Sequence, residues 1–115
     1  MDPATVDKQL QTYALFNAQL KAEVKALITP ELIEEHRRKP LGRHSDALER
    51  VINFFRRPPA YALYSRVPFR EWQIIRMPID PTKRPTPVED AVYRSENEAY
   101  HAIFLRNIDD LMAAS

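Results

Sequence analysis

Pro58-Pro59 constrains this chain more than any other feature. Two successive residues without an amide hydrogen forbid a helix from continuing through them and push the residue before toward extended backbone. On their N-terminal side, Ser45 can cap a helix over 46–57, where Leu48, Val51, Ile52 and Phe55 recur at helical spacing. On their C-terminal side, Tyr61, Leu63, Ser65 and Val67 alternate with Ala62, Tyr64 and Arg66, the period of a strand. Trp72, Ile74 and Arg76 alternate with Gln73, Ile75 and Met77, and Pro68-Phe69-Arg70 between the two segments would close a hairpin. Residues 69–77 could instead complete two helical turns; the β-branched pair Ile74-Ile75 and the following Pro78 favour the strand.

The flanks read as helices. The chain has one glycine and ten prolines, which predicts few left-handed turns and many proline-shaped loops. Residues 3–28 form a long helix, with Asp2 as cap and Pro3 at the first position. Its stripe is Val6, Leu10, Tyr13, Asn17, Leu20, Val24 and Leu27, spaced alternately by four and three. That is the seam of a paired helix with one Asn in it, so Leu10, Tyr13, Asn17, Leu20 and Val24 are candidates for pairing one chain with another. The same stripe could equally pack on its own domain. Thr29-Pro30-Glu31 starts a second helix, running to about Arg38 with Leu32 and Ile33 inward, and residues 39–45 form a loop. Residues 78–90 hold four prolines and no apolar period, an extended surface loop. Ala91-Val92-Tyr93 can add a third strand. Ser95-Glu96-Asn97-Glu98 is a capping box opening a last helix over about 96–113, with Tyr100, Ile103, Phe104, Ile108, Leu111 and Met112 on its apolar face. The expected fold is α+β: one domain over 1–115, mostly helical with about four helices, and a small antiparallel hairpin or three-stranded sheet.

Charge is unevenly placed. Residues 1–35 carry 3 Lys/Arg against 6 Asp/Glu, residues 36–84 carry 12 against 4, and residues 85–115 carry 2 against 6. Arginines interleaved with Tyr61, Tyr64, Phe69 and Trp72 could hold a single strand of nucleic acid or dock an acidic protein surface. A pI near 8.0 is low for a dedicated nucleic-acid binder, so protein docking is favoured. No apolar run reaches the ~18 residues of a membrane span. MDPATVDKQL lacks the basic start and apolar core of a signal peptide, and the absence of cysteine fits a reducing cytoplasm.

No catalytic constellation is complete. His36, His44 and His101 fall in no metal-binding spacing, no serine sits in a GxSxG setting, and Gly42 stands alone rather than in a phosphate loop. Glu35 and His36 are sequence neighbours that point about 100° apart on a helix and form no dyad by themselves. His44 is the best of the three histidines for a polar contact; His101 reads as a satisfied, half-buried histidine. The carboxylate pairs Glu34/Glu35, Glu89/Asp90 and Asp109/Asp110 read as solvated faces. Catalytic and metal-ligating residues are therefore assigned to none of these.

The segments ELIEEHRRKPLG (31–42), LERVINFF (48–55), YALYSRVPFREW (61–72) and SENEAYHAIFLRNIDDL (95–111), in that order, resemble the small subunit of N,N-dimethylformamidase over roughly residues 28–113. The C-terminal E-A-x-H-A-x-F-L-R-x-I block is the most specific part and the N-terminal helix the least. The loop before the third helix is shorter than the family pattern, and residues 78–90 diverge from it. The resemblance implies a mostly helical, non-catalytic subunit with no cofactor of its own. It supports a large subunit that carries mononuclear iron on tyrosine and carboxylate ligands and hydrolyses dimethylformamide to dimethylamine and formate. The partner surface expected here is Arg56, Arg57, Tyr64, Phe69, Arg70 and Trp72, combining apolar anchors with cations for acidic groups. The alternative is a stand-alone homo-oligomeric binding protein paired through the N-terminal helix, with a nucleic-acid-binding module as a third reading and no role at a membrane.

Overall fold

The computed structural model describes residues 3–56, 59–88 and 91–113, with backbone alone over 3–7. In chain order it contains α1 (Pro3–Leu27), α2 (Pro30–Arg38), α3 (Asp46–Phe55), β1 (Tyr61–Val67), β2 (Glu71–Arg76), β3 (Thr86–Pro87) and α4 (Glu96–Ala113). The expected Asp2 cap and Arg57 lie outside the described residues, as do Glu89 and Asp90.

Side chains set the helix starts. Thr29 accepts a hydrogen bond from the Leu32 amide at 3.2 Å, and Pro30 takes the first position, where its missing N–H costs nothing. Ser45 Oγ accepts from the Leu48 amide at 3.3 Å, and Ser95 Oγ from the Glu98 amide at 3.4 Å. The loop between α2 and α3 is held from both sides. Glu35 of α2 accepts the Ser45 amide at 2.7 Å and the Ser45 hydroxyl at 2.6 Å. These two bonds hold the Glu35 carboxyl below the usual range. His44 bonds the Lys39 carbonyl at 2.6 Å and Glu49 at 3.1 Å. Glu35 is thus a clasp rather than part of a solvated face, while Glu34 pairs with Arg37 and Arg38 as expected of a surface carboxylate. The one glycine, Gly42, sits in this loop at φ 112°, a conformation that other residues rarely adopt.

The core lies where α1, α2, α3 and α4 meet. It is built from Val24, Leu32, Leu48, Val51, Phe104, Ile108 and Leu111, with Leu48 and Val51 fully buried. Met112, expected on the buried face of α4, is 49% exposed; Ala99 is buried in that helix instead.

The hairpin forms as expected. β1 and β2 pair antiparallel from Tyr61↔Arg76 to Val67↔Glu71, with a bulge at Arg66 that breaks the alternation and leaves Val67 38% exposed. Tyr61, Leu63, Ser65, Trp72 and Ile74 share the face turned to α4, where Ile74 is fully buried. Tyr64 and Gln73 lie on the other face. The third strand is not the one expected. It comes from inside the proline-rich loop, as Thr86–Pro87 against Ile75 and Arg76, and Tyr93 adds an isolated bridge to Trp72 beyond it. Pro87 can occupy an edge strand because no partner there needs its missing amide hydrogen. The hairpin is tied to α4 by the Tyr61 hydroxyl, which donates to Asp110 while Arg76 donates to Tyr61 at 3.0 Å. Burial and the carboxylate beside it raise the Tyr61 pKa.

Because Leu48 is fully enclosed by three helices, Leu48→Ala should lower stability by ~2–5 kcal/mol. Urea titration should show a lower midpoint with an unchanged slope; an unaltered midpoint would mean that the core is not centred on α3.

Candidate functional site

Three regions carry chemistry or exposed apolar surface. The first is a histidine cluster that sequence spacing did not reveal. α2 brings His36, and α4 brings His101, until their Nδ1 atoms are 2.9 Å apart. One ring must therefore donate and the other accept. His36 is 4% exposed and stacks on Phe104 at 3.9 Å between ring centroids, with the His44 ring 6.2 Å away. Burial, then the neighbouring His101 and His44, lowers the His36 pKa to about 4. Burial and the nearby Arg37 lower that of His101. The residues are 65 apart in sequence, so only the docking of α4 on α2 juxtaposes them. The signal available beforehand was positional: both fall on otherwise packed helix faces. Among the described residues no group of three or more His, Cys, Asp or Glu is placed to hold a metal ion. His36 and His101 engage each other through Nδ1, and both His44 nitrogens are engaged by Glu49 and Lys39.

Next to this cluster is an apolar cleft of about 360 Å³ between α3, β1 and α4. His36 and Phe104 form part of its wall, with Phe55, Leu63 and Tyr100, and Arg56 stands at its edge.

The second region is the hairpin tip. The Arg70 amide bonds the Val67 carbonyl at 3.0 Å across Pro68-Phe69, and Phe69 has φ 62°. This is the pattern of a type II turn, with proline at its second position and phenylalanine at the third, where glycine is the rule. Phe69 is 92% exposed there, beside exposed Arg66 and Arg70. The residues proposed as a partner surface are divided by the fold. Tyr64, 54% exposed, and Phe69 and Arg70 point to solvent, whereas Trp72 is half-buried on the face turned to α4. Arg56 lies exposed at the end of α3.

The third region is α1. Val24 is buried, and Leu20 and Leu27 pack on the core. Toward the N-terminus the same stripe runs off the domain: Leu10 is 62% exposed, Tyr13 66% and Phe16 61%. Asn17, half-buried, marks where coverage begins.

Residues 11–115 match the family model described as "N,N-dimethylformamidase alpha subunit". The chain belongs to this family. It is 34% identical over 119 residues to an N,N-dimethylformamidase alpha subunit from Alcaligenes sp, covering 97% of this chain and 90% of that relative. To the alpha subunit from Paracoccus aminophilus it is 34% identical over 118 residues, covering 96% of this chain and 83% of that relative. The resemblance read from residues 28–113 thus extends back through most of α1. All three regions lie within the part of the chain aligned with dimethylformamidase alpha subunits. No helix among the described residues is long and apolar enough to cross a membrane.

The histidine contact has a pH signature. The folded state holds His36 neutral down to about pH 4, whereas the unfolded chain takes up a proton near pH 6.5. The unfolded state therefore binds more protons between these values, so stability is full above ~6.5 and falls as pH drops through the window, by up to ~3 kcal/mol for His36. Urea midpoints measured from pH 7.5 to 4.5 should show this loss. His36→Phe should flatten it; parallel profiles for the two proteins would remove His36 as its source.

Proposed function

We propose that this chain is the non-catalytic small subunit of a cytoplasmic, iron-dependent N,N-dimethylformamidase-like amidohydrolase. The observation that carries this reading is family membership across residues 11–115. The reaction adds water across the amide of dimethylformamide and releases dimethylamine and formate; we assign it and the iron to the large subunit. The side-chain chemistry of this chain supports that division. The tyrosine and carboxylate that meet here, Tyr61 and Asp110, do not fit an iron site. The phenol keeps its proton because burial and the bond to Asp110 raise its pKa, outweighing the opposite pull of the Arg76 guanidinium 5.1 Å over its ring. A metal-binding tyrosine must shed that proton.

The hairpin tip is our candidate for the surface that meets the large subunit. A bulky residue at positive φ costs ~1–2 kcal/mol, and 92% exposure of Phe69 returns nothing from burial within this chain. Seated in an apolar pocket of a partner, the ring would recover the cost, and Arg66 and Arg70 would face carboxylates at the pocket's rim. Trp72, by contrast, is best placed to hold β2 against α4.

Purification of the tagged chain from its source cells should bring down a stoichiometric large subunit containing iron; recovery of this chain alone, metal-free, would sink the small-subunit reading. Phe69→Asn separates anchoring from folding. It should raise the stability of the isolated chain by ~1 kcal/mol, since Asn tolerates the left-handed region. It should also weaken association with the large subunit at least ~10-fold. A variant that assembles like the parent would show that the tip is not an anchor.

A further inference from the structure

We infer that the outer half of α1 pairs antiparallel with the same segment of a second copy of this chain. The inference stands independently of the subunit reading. A helix of 25 residues is ~38 Å long, and here coverage by the domain begins only at Asn17, past its midpoint. The molecule measures 55 × 37 × 23 Å with a radius of gyration of 16.8 Å, against about 13 Å for a compact chain of this length. The excess reflects an arm, and the arm is apolar. Leu10, Tyr13 and Phe16 expose 62, 66 and 61% of their surfaces, on the side of the helix that, about two to four turns later, buries Val24. The stripe does not change character where the domain ends; it simply loses its cover.

Three observations select a second copy as the occupant. First, residues 9–20, QLQTYALFNAQL, contain no charged residue, so two copies approach without like-charge repulsion. A heterologous partner chosen by charge, as the Arg-rich centre of the chain suggests for the hairpin, has nothing to read here. Second, the four–three spacing of Leu10, Tyr13, Asn17 and Leu20 is the repeat by which one helix packs along another. Third, the apolar area matches a weak pair: the exposed Leu10, Tyr13 and Phe16 offer on the order of 100–150 Å² each, about half of the ~800 Å² per partner of a standard interface, which fits a micromolar rather than a nanomolar dissociation constant.

Direction follows from sterics. From Leu20 onward the stripe is occupied by the copy's own domain. Parallel pairing would put both domains in the same seam. Antiparallel pairing sends each domain to the opposite end and overlaps only the uncovered halves. In the register that sets alternate seam positions against each other, Leu10 packs on Tyr13 of the second copy, and Tyr13 on its Leu10, about a two-fold axis. Phe16 flanks this contact on one side, and Leu15, 67% exposed, points away from it.

Leu15 provides the control. Light scattering on the full-length chain at about 100 µM, well above a micromolar dissociation constant, should give twice the 13.5 kDa chain mass. Leu10→Asp should raise the dissociation constant at least ~10-fold and yield the monomer mass on dilution. Leu15→Asp, equally exposed on the opposite face, should remain dimeric. Circular dichroism of both variants should show unchanged helix content, because neither side chain belongs to the core. A monomeric parent at this concentration would overturn the inference. So would loss of the dimer in both variants alike, which would indicate non-specific apolar association.

Discussion

The clasp of Glu35 on Ser45 sets the position of most of this molecule. One carboxylate at the end of α2 takes both the amide and the hydroxyl of the residue that caps α3, while that hydroxyl oxygen accepts the Leu48 amide. The start of α3 is thereby fixed relative to α2. Leu48 and Val51, both fully buried, lie within the first two turns that follow. The neighbouring His44 closes the same loop through Lys39 and Glu49. α3 then offers one face to α1 and α2 and another to α4, so the loop decides how four helices meet. A charge-assisted pair of bonds at a partly exposed loop contributes a few kcal/mol at most. Its importance lies in geometry, because a helix whose origin is misplaced misplaces every core contact after it.

Much of this was legible in the sequence because the signals were local. Thr29-Pro30, Ser45 and Ser95 are caps whose chemistry acts within four residues, and all three open helices where expected. α3 ends at Phe55 and β1 begins at Tyr61, on either side of the proline pair that the sequence places between them. The ambiguous segment 71–76 became a strand because β1 offers it a ladder and α4 covers Ile74, a decision made by packing rather than by propensity. The third strand escaped for the same reason. Thr86-Pro87 has no alternation to detect, and it pairs only because the edge of β2 passes beside it. The site features were less visible still. His36 and His101 meet only through the docking of α2 against α4, and Glu35 finds Ser45 ten positions further along the chain, across the α2–α3 loop. Trp72 looked like an anchor because its residue type suits one, whereas the pleat turns it toward α4.

The buried histidine pair is an unusual choice for a core contact. An apolar pair would pack Phe104 as well without a proton to lose. Two neutral imidazoles 2.9 Å apart satisfy each other only when one donates and one accepts. That requirement rules out both rings being protonated at once, and it commits the Nδ1 atom of each ring to the α2–α4 contact. Burial of His36 and its stacking on Phe104 tie the cluster to the framework of the subunit, even though three histidines in one neighbourhood invite a catalytic reading.

What the framework leaves uncovered is more telling than what it buries. Isolated exposed apolar side chains are ordinary on any protein surface. Here they are organised in two places that differ in chemistry. The hairpin tip places one ring at a strained φ between cations, an arrangement that favours a pocket with an acidic rim. The outer half of α1 presents a charge-free stripe continuous with the core, an arrangement that favours another helix like itself. The strained aromatic costs the isolated chain stability, and the unshielded stripe contributes none, being exposed in the folded and unfolded states alike. A chain of 115 residues has a modest core from which to carry such a cost. Both features make physical sense when the folding unit is an assembly in which this chain contributes two unlike faces, one for a dissimilar partner and one for its own copy.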